Sequence, residues 1–204
     1  MGRGGLRIVG LSHGRTRYAG GTGRPGPLTQ LGRDLLVEMR HEPVILDTSH
    51  MAEESFFEAL DLFDGPVIAT HSNCRSLIPT DRQLSDEMIR TITKREGVIG
   101  AVLFNKFLTN DWEQTGRSKQ RVTLAHFVKQ VRHICDVAGD SGHVGIGSDM
   151  DGGFGSESIP AELDTIADLP KIVDALVEDG FSERQVTNIV GENWLSFLRR
   201  TLPD

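Results

Sequence analysis

Three histidines and one aspartate stand where apolar, strand-like runs end. His13 follows Ile8-Val9-Gly10-Leu11-Ser12, His50 follows Val44-Ile45-Leu46-Asp47-Thr48-Ser49, His71 follows Val67-Ile68-Ala69-Thr70, and Asp149 follows Val144-Gly145-Ile146-Gly147-Ser148. A neutral imidazole is a ligand for divalent metals, and a carboxylate can take and return a proton. Converging, they suggest a hydrolytic metal site. The four residues are spread from position 13 to position 149, so only the fold can bring them together.

The segments between them have helical periodicity. Repeated strand-then-helix order implies parallel strands, because a helix must carry the chain back to the same end. Parallel strands place all their C-terminal ends on one face, and in α/β barrels that face carries the chemistry. The strand candidates are 6–12, 44–49, 67–70, 98–104 and 144–148. After the first comes a Gly- and Arg-rich loop, 14–27, of the kind that shapes a site. Thr29, Ser85 and Thr123 are placed to cap helices. Their inward faces carry Leu35, Leu36 and Met39, then Phe127, Val131 and Ile134. A helix with Phe56, Phe57, Leu60 and Phe63 lies between strands two and three. Short helices near 165–179, 182–190 and 192–199 finish the chain. The expectation is an α/β fold, a TIM-like (β/α) barrel of about five βα units where a closed barrel has eight. The 204 residues suit one domain, 1–204, and are fewer than the roughly 250 of a complete barrel.

Formal net charge is −7 with no Lys/Arg block, which argues against a nucleic-acid or anionic-membrane partner. Cys74 and Cys135 form no CxxC, as a reducing cytoplasm permits. The start, Met1-Gly2-Arg3-Gly4-Gly5, has no apolar h-region. No run approaches the ~18 apolar residues of a membrane span. The end, Arg199 to Asp204, lacks the hydrophobic tail of a lipid-anchor signal. The location expected is cytoplasmic.

Each feature has a plainer reading. A lone strand-end histidine is more often a hydrogen-bonded structural residue than a ligand, and Asp149 stands in an Asp-x-Asp-Gly turn that is also loop chemistry. His41 and His143 precede their strands and face the other end. His126 and His133 belong to one helix. Trp112 and Trp194 read as packing residues. The Gly-rich turn 152–155 lacks the Gly-Lys-Ser/Thr of a phosphate loop.

With these residues laid out, the chain resembles the membrane (renal) dipeptidase family of zinc peptidases, in its soluble bacterial-type branch. The segments that carry the resemblance are Gly10-Leu11-Ser12-His13, Leu46-Asp47-Thr48-Ser49-His50, Thr70-His71-Ser72-Asn73, Asp81-Arg82-Gln83-Leu84-Ser85-Asp86, Gly145-Ile146-Gly147-Ser148-Asp149-Met150-Asp151-Gly152 and Gly191-Glu192-Asn193-Trp194. The resemblance implies a TIM-like barrel with two zinc ions and a dipeptide substrate. His50 and His71 match the two histidines that hold the second metal. His13 matches the substrate-contacting histidine and Asp149 the proton-handling aspartate. Arg82, eleven residues after His71, matches the arginine that binds the substrate carboxylate; Arg75 is the rival for that role.

The family also begins with a strand ending in His-x-Asp and has a later glutamate bridging both ions. No histidine here is followed two residues on by Asp, and no Glu ends a strand-like run. The chain is therefore expected to correspond to the C-terminal part of such a barrel, without the N-terminal strands and with an incomplete ligand set. Two expectations diverge from there. One is a zinc dipeptidase completed by a missing N-terminal segment or a homo-oligomer partner. The other is a non-catalytic remnant. A different metal-dependent amidohydrolase is a third.

Overall fold

The computed structural model describes residues 5–202. Met1–Gly4 and Pro203–Asp204, parts of the start and tail read above for leader and anchor signals, lie outside them. In chain order the elements are β1 (Ile8–Gly10), β2 (Ala19–Gly21), β3 (Arg24–Leu28), α1 (Gln30–Met39), β4 (Ile45–Asp47), α2 (Glu53–Leu62), β5 (Val67–Ile68), α3 (Asp86–Lys94), β6 (Ile99–Ala101), α4 (Leu124–Ala138), β7 (Val144–Ile146), α5 (Lys171–Glu178), α6 (Glu183–Thr187) and α7 (Asn193–Thr201).

Strands β1, β4, β5, β6 and β7 are parallel neighbours in chain order. Gly10 pairs with Asp47, Asp47 with Ile68, and Ala101 with Ile146. A single parallel bridge, Ala69 to Ile99, joins β5 to β6. Each strand reaches the next through a helix, so all five end on one face, as strand-then-helix order requires. The helices bury Leu36 and Met39 of α1, Phe56 and Ala59 of α2, Ile89 and Ile92 of α3, and Phe127, Val131 and Ile134 of α4. Among the described residues no helix is long and apolar enough to cross a membrane.

Local chemistry sets the helix boundaries. Thr29 accepts from Gly32 N, and Ser85 accepts from Met88 N. Thr123 and His126 form a reciprocal cap on α4, which ends at Gly139 with φ +89°, the left-handed conformation glycine adopts freely. His126 is thus a capping residue.

Three expectations are corrected. The strands are shorter than their apolar runs, because beyond the paired residues the chain turns to present side chains at the strand ends. The segment 14–27, expected as a loop, contains the antiparallel hairpin β2–β3. Gly20 allows it, since a Cβ there would collide with the backbone of Gly26. The two last helices, expected apart, run on from α6 to α7 through a π turn, Asn188–Glu192. The widened turn seats Asn193, whose side chain donates to Ser141 O and Val144 O, both at 2.7 Å. Trp194 beside it donates to Ile146 O at 3.1 Å and packs over Gly145.

Gly100 and Gly147 flank the carbonyl of Thr70, and a Cβ on either would strike that oxygen. All three contacts are backbone, so the wall cannot yield. Gly147→Ala should cost about 1–3 kcal/mol, the usual range for overpacking, read as a lower urea midpoint. An unchanged midpoint would mean that the notch is not close-packed.

Candidate metal and proton-transfer site

The site is built on the turn that follows β4. Asp47 Oδ1 accepts from Ser49 N and from Thr70 N, both at 3.0 Å, and Oδ2 accepts from Thr70 Oγ1 at 2.6 Å. One carboxylate thereby ties the ends of β4 and β5 together. Ser49 Oγ in turn accepts from His71 N at 3.1 Å. His50 sits at φ +66°, a left-handed conformation that swings its ring out of the strand line and over the cleft.

These bonds place His50 Nε2 and His71 Nε2 3.0 Å apart, with ring centroids 5.0 Å apart. His13, from the end of β1, stacks on His50 at 4.2 Å and 27°. The hairpin closes the outer side. Thr22 N donates to His50 O at 3.0 Å, and Thr22 Oγ1 lies 3.1 Å from His50 Nδ1. His13, His50, His71 and Asp149 line one cleft of about 510 Å³, faced by Phe104 and Phe154. Those two rings stack in parallel at 4.3 Å.

Asp149 also has a left-handed backbone, φ +54°. Gly152 donates its N–H to Asp149 O at 2.9 Å. A Cβ on Gly152 would collide with the Asp149 carboxylate, so the Asp-x-Asp-Gly turn needs glycine there. Arg82 is buried at 4% exposure, behind the cleft lining. It donates to Ser72 Oγ at 2.9 Å and to His71 O, its guanidinium carbon is 5.5 Å from the centre of the Phe107 ring, and its Nε has no partner among the described residues. Arg75, the rival, is spent on Glu53 and on Gln83 O. His143 bonds Gly97 O before β7, and His133 pairs with Asp86 between α4 and α3.

The electrostatics follow from this packing. Burial, then the charge of Arg82, then the neighbouring histidines push the His50 pKa down to about 3. Burial and Arg82 also lower His71, against the pull of Asp149 and Asp47. Burial raises Asp149, opposed by His71, Arg82 and His13. Burial lowers Arg82 to about 10, so it remains charged at neutral pH. The cleft thus favours unprotonated imidazoles, the form that ligates metal, beside a carboxylate with increased proton affinity.

Two nitrogens bound to one zinc by tetrahedral bonds of about 2.05 Å lie about 3.3 Å apart. The His50–His71 separation of 3.0 Å suits such a pair. No group of three or more His, Cys, Asp or Glu able to hold a metal occurs among the described residues. Sequence reasoning missed Asp47, Thr70 and Thr22. Asp47 ends an apolar run and Thr22 falls in the Gly-rich segment 14–27, so neither carries a signal of its own.

The sequence matches the family model described as membrane dipeptidase (peptidase family M19) over residues 1–202. The chain belongs to that family. It is 33% identical over 175 residues to an uncharacterised protein of Klebsiella pneumoniae, covering 86% of this chain and 61% of that one. It is 31% identical over 200 residues to the dipeptidase tcpJ of Claviceps purpurea, covering 96% of this chain and 44% of the relative. Among solved structures, a metallo peptidase from Rhodobacter sphaeroides, liganded with a phosphinate mimic of the dipeptide L-Ala-D-Ala, superposes with a TM-score of 0.86. There the identity is 30%, over 96% of this chain and 56% of that one. The chain thus spans about half to three-fifths of the length of these relatives.

The low proton affinity of His50 has a direct readout. Because its folded value lies below that of an unfolded histidine, the unfolded chain binds the extra proton first. Stability is therefore retained above about pH 6.5 and falls as pH drops toward about 3. An NMR titration should show the His50 ring shifts flat from pH 8 to about pH 4. A midpoint near 6.5 would show that the ring is solvated and unopposed.

Proposed function

We propose that the chain serves zinc-dependent hydrolysis of dipeptides, with His50 and His71 holding one metal ion. The observation that carries this reading is the pair of half-buried imidazoles with Nε2 atoms 3.0 Å apart, in a chain of the membrane dipeptidase family. Bound there, zinc would supply Lewis-acid polarisation and activation of a water molecule.

The chain's own residues do the rest. Asp149, its carboxylate raised by burial, takes the proton of the attacking water and returns it to the leaving amine, a general base then general acid. His13 hydrogen-bonds the oxygen that becomes tetrahedral. Arg82 attracts the substrate's C-terminal carboxylate. The partnerless Nε supports that role, since it leaves the guanidinium one donor not used within the protein. Selecting a free carboxylate next to the scissile bond favours dipeptides over longer chains.

The same reading says what else the activity needs. A catalytic zinc ordinarily has three protein ligands, and here two converge. On this reading the five parallel strands are part of a TIM-like barrel. The remaining ligands, a His-x-Asp pair and a bridging glutamate, come from another segment, in a longer chain or a partner. The second reading, a non-catalytic remnant, is favoured by one observation, the absence of a three-ligand group among the described residues.

Two experiments separate these readings. The 204-residue chain should hold less than one zinc per molecule and hydrolyse dipeptides poorly. Adding the N-terminal strands of a family relative, fused or as a separate chain, should restore both. No gain on addition supports the remnant, whereas two firmly held zincs and full turnover in the chain alone would refute the ligand count.

In the restored form, Arg82→Lys should raise KM for dipeptides, because a point charge replaces a fork. C-terminally amidated dipeptides should be poor substrates of the unmutated form. Equal rates on amidated and free dipeptides would remove Arg82 from the site.

A further inference from the structure

Thr70 Oγ1 lies 2.7 Å from His71 Nδ1, 2.6 Å from Asp47 Oδ2 and 3.3 Å from Ser49 Oγ. A hydroxyl has one proton to give and two lone pairs to receive with. The Asp47 carboxylate already accepts two backbone N–H groups through Oδ1, and at Oδ2 it has nothing to offer but lone pairs. The Thr70 proton must therefore point to Asp47; the reverse would set two bare oxygens against each other at 2.6 Å. What remains on Oγ1 are acceptor sites. His71 Nδ1 must then carry the ring proton and donate it, and Ser49 O–H can fill the other lone pair.

We propose that Thr70, anchored by Asp47, is a positioning residue that holds His71 as its Nδ1–H tautomer with the Nε2 lone pair aimed at His50. The inference rests on the metal-ligand reading of His71 for its purpose, but not for its chemistry. A ligating imidazole needs one bare nitrogen facing the ion and the other hydrogen-bonded, which fixes tautomer and ring angle together. Here a threonine hydroxyl passes the demand of a carboxylate on to the ring. In the metal-free chain the 3.0 Å contact between the Nε2 atoms then has one donor only. His50 gives its Nε2–H to His71, and Thr22 Oγ1, 3.1 Å from His50 Nδ1, gives its proton to that ring. With Nε2 bare to receive an ion, His50 would carry its proton on Nδ1 and donate it to Thr22 Oγ1, whose own hydroxyl proton can turn to His50 O, 3.5 Å away.

The backbone of Thr70 does a separate job, since its N–H binds Asp47 and its carbonyl fills the Gly100–Gly147 notch. Side-chain substitutions can leave that job intact. Thr70→Val removes only the hydroxyl. Thr70→Ser keeps it. Asp47→Asn keeps an oxygen for the backbone N–H groups and puts an NH₂ against Thr70 Oγ1, which reverses the chain of donors. The hydroxyl would then donate to His71 Nδ1 and drive the ring to Nε2–H.

The test is long-range ¹H–¹⁵N NMR of the full chain with ¹⁵N-labelled histidine, metal-free and in alkaline buffer, where both rings are neutral. The wild type and Thr70→Ser should show His71 as Nδ1–H and His50 as Nε2–H. Thr70→Val should show a mixture, and Asp47→Asn should show His71 as Nε2–H. His71 as Nε2–H in the wild type, or one unchanged tautomer through all variants, would overturn the proposal. If Thr70→Val does not fold, the Thr70→Ser and Asp47→Asn pair decides it.

Cobalt(II) titration followed by its visible bands supplies the second readout. Thr70→Val and Asp47→Asn should bind roughly 10–100-fold more weakly, and Thr70→Ser near the wild-type value. Equal affinity in all four would overturn the positioning role. A wild type that binds no cobalt would instead remove the metal reading, and the tautomers would still decide whether the relay exists.

Discussion

Asp47 accepts three hydrogen bonds at the point where β4 and β5 both end, and the rest of the site hangs from them. Two come from backbone N–H groups, one on each side of the gap between the strands, and the third comes from Thr70 Oγ1. The carboxylate thus replaces the sheet hydrogen bonds that stop when the chain leaves strand geometry. Without that replacement the two strand ends would splay, and His50 and His71 would have no reason to meet. Thr70 carries the constraint inward, its carbonyl wedged between Gly100 and Gly147, so β5, β6 and β7 are locked in register at the level of the site. Asp149 follows Gly147 by two residues and inherits its position from that lock.

The electrostatic character of the cleft comes from the same packing. Burying two imidazoles in front of the Arg82 guanidinium penalises a proton on either ring. Burying Asp149 penalises its charge, and Arg82 with the histidines limits that effect. One buried cation therefore acts in two directions, toward bare nitrogens and toward a carboxylate kept from full protonation. That combination suits a cation held by nitrogen and a proton moved by oxygen. The two left-handed residues of the site, His50 and Asp149, are where the backbone departs from its preferred region to aim these side chains.

Much of this was legible in the residues. Apolar runs that alternate with amphipathic helices force parallel strands, and parallel strands force His13, His50, His71 and Asp149 onto one face whatever their distance in sequence. Thr29, Ser85 and Thr123 mark helix starts because their side chains satisfy free N–H groups, a local effect that sequence exposes. What stayed hidden depends on pairs of distant residues. Asp47 looked like the last residue of a strand, and only Thr70, 23 positions on, shows what its oxygens hold. The hairpin was masked by Gly20, Gly21, Gly23 and Gly26, which read as loop; of these only Gly20 faces the partner strand, where a Cβ would strike the backbone of Gly26. The π turn at Asn188–Glu192 has no signature, because it arises from the reach of Asn193 to the β7 backbone. The pairing of Arg75 with Glu53, 22 positions earlier, is likewise invisible in sequence.

The central proposal is that His50 and His71 supply two imidazole nitrogens to one metal ion, and the other described residues no further ligand. X-ray absorption at the zinc edge of the zinc-loaded 204-residue chain tests it most directly. The account predicts a first shell with two histidine nitrogens at about 2.0–2.1 Å, the remainder oxygen from solvent, and loss of the imidazole signal in a His50→Asn, His71→Asn double variant. A first shell with three or more histidine nitrogens, or one unchanged in that variant, would contradict it.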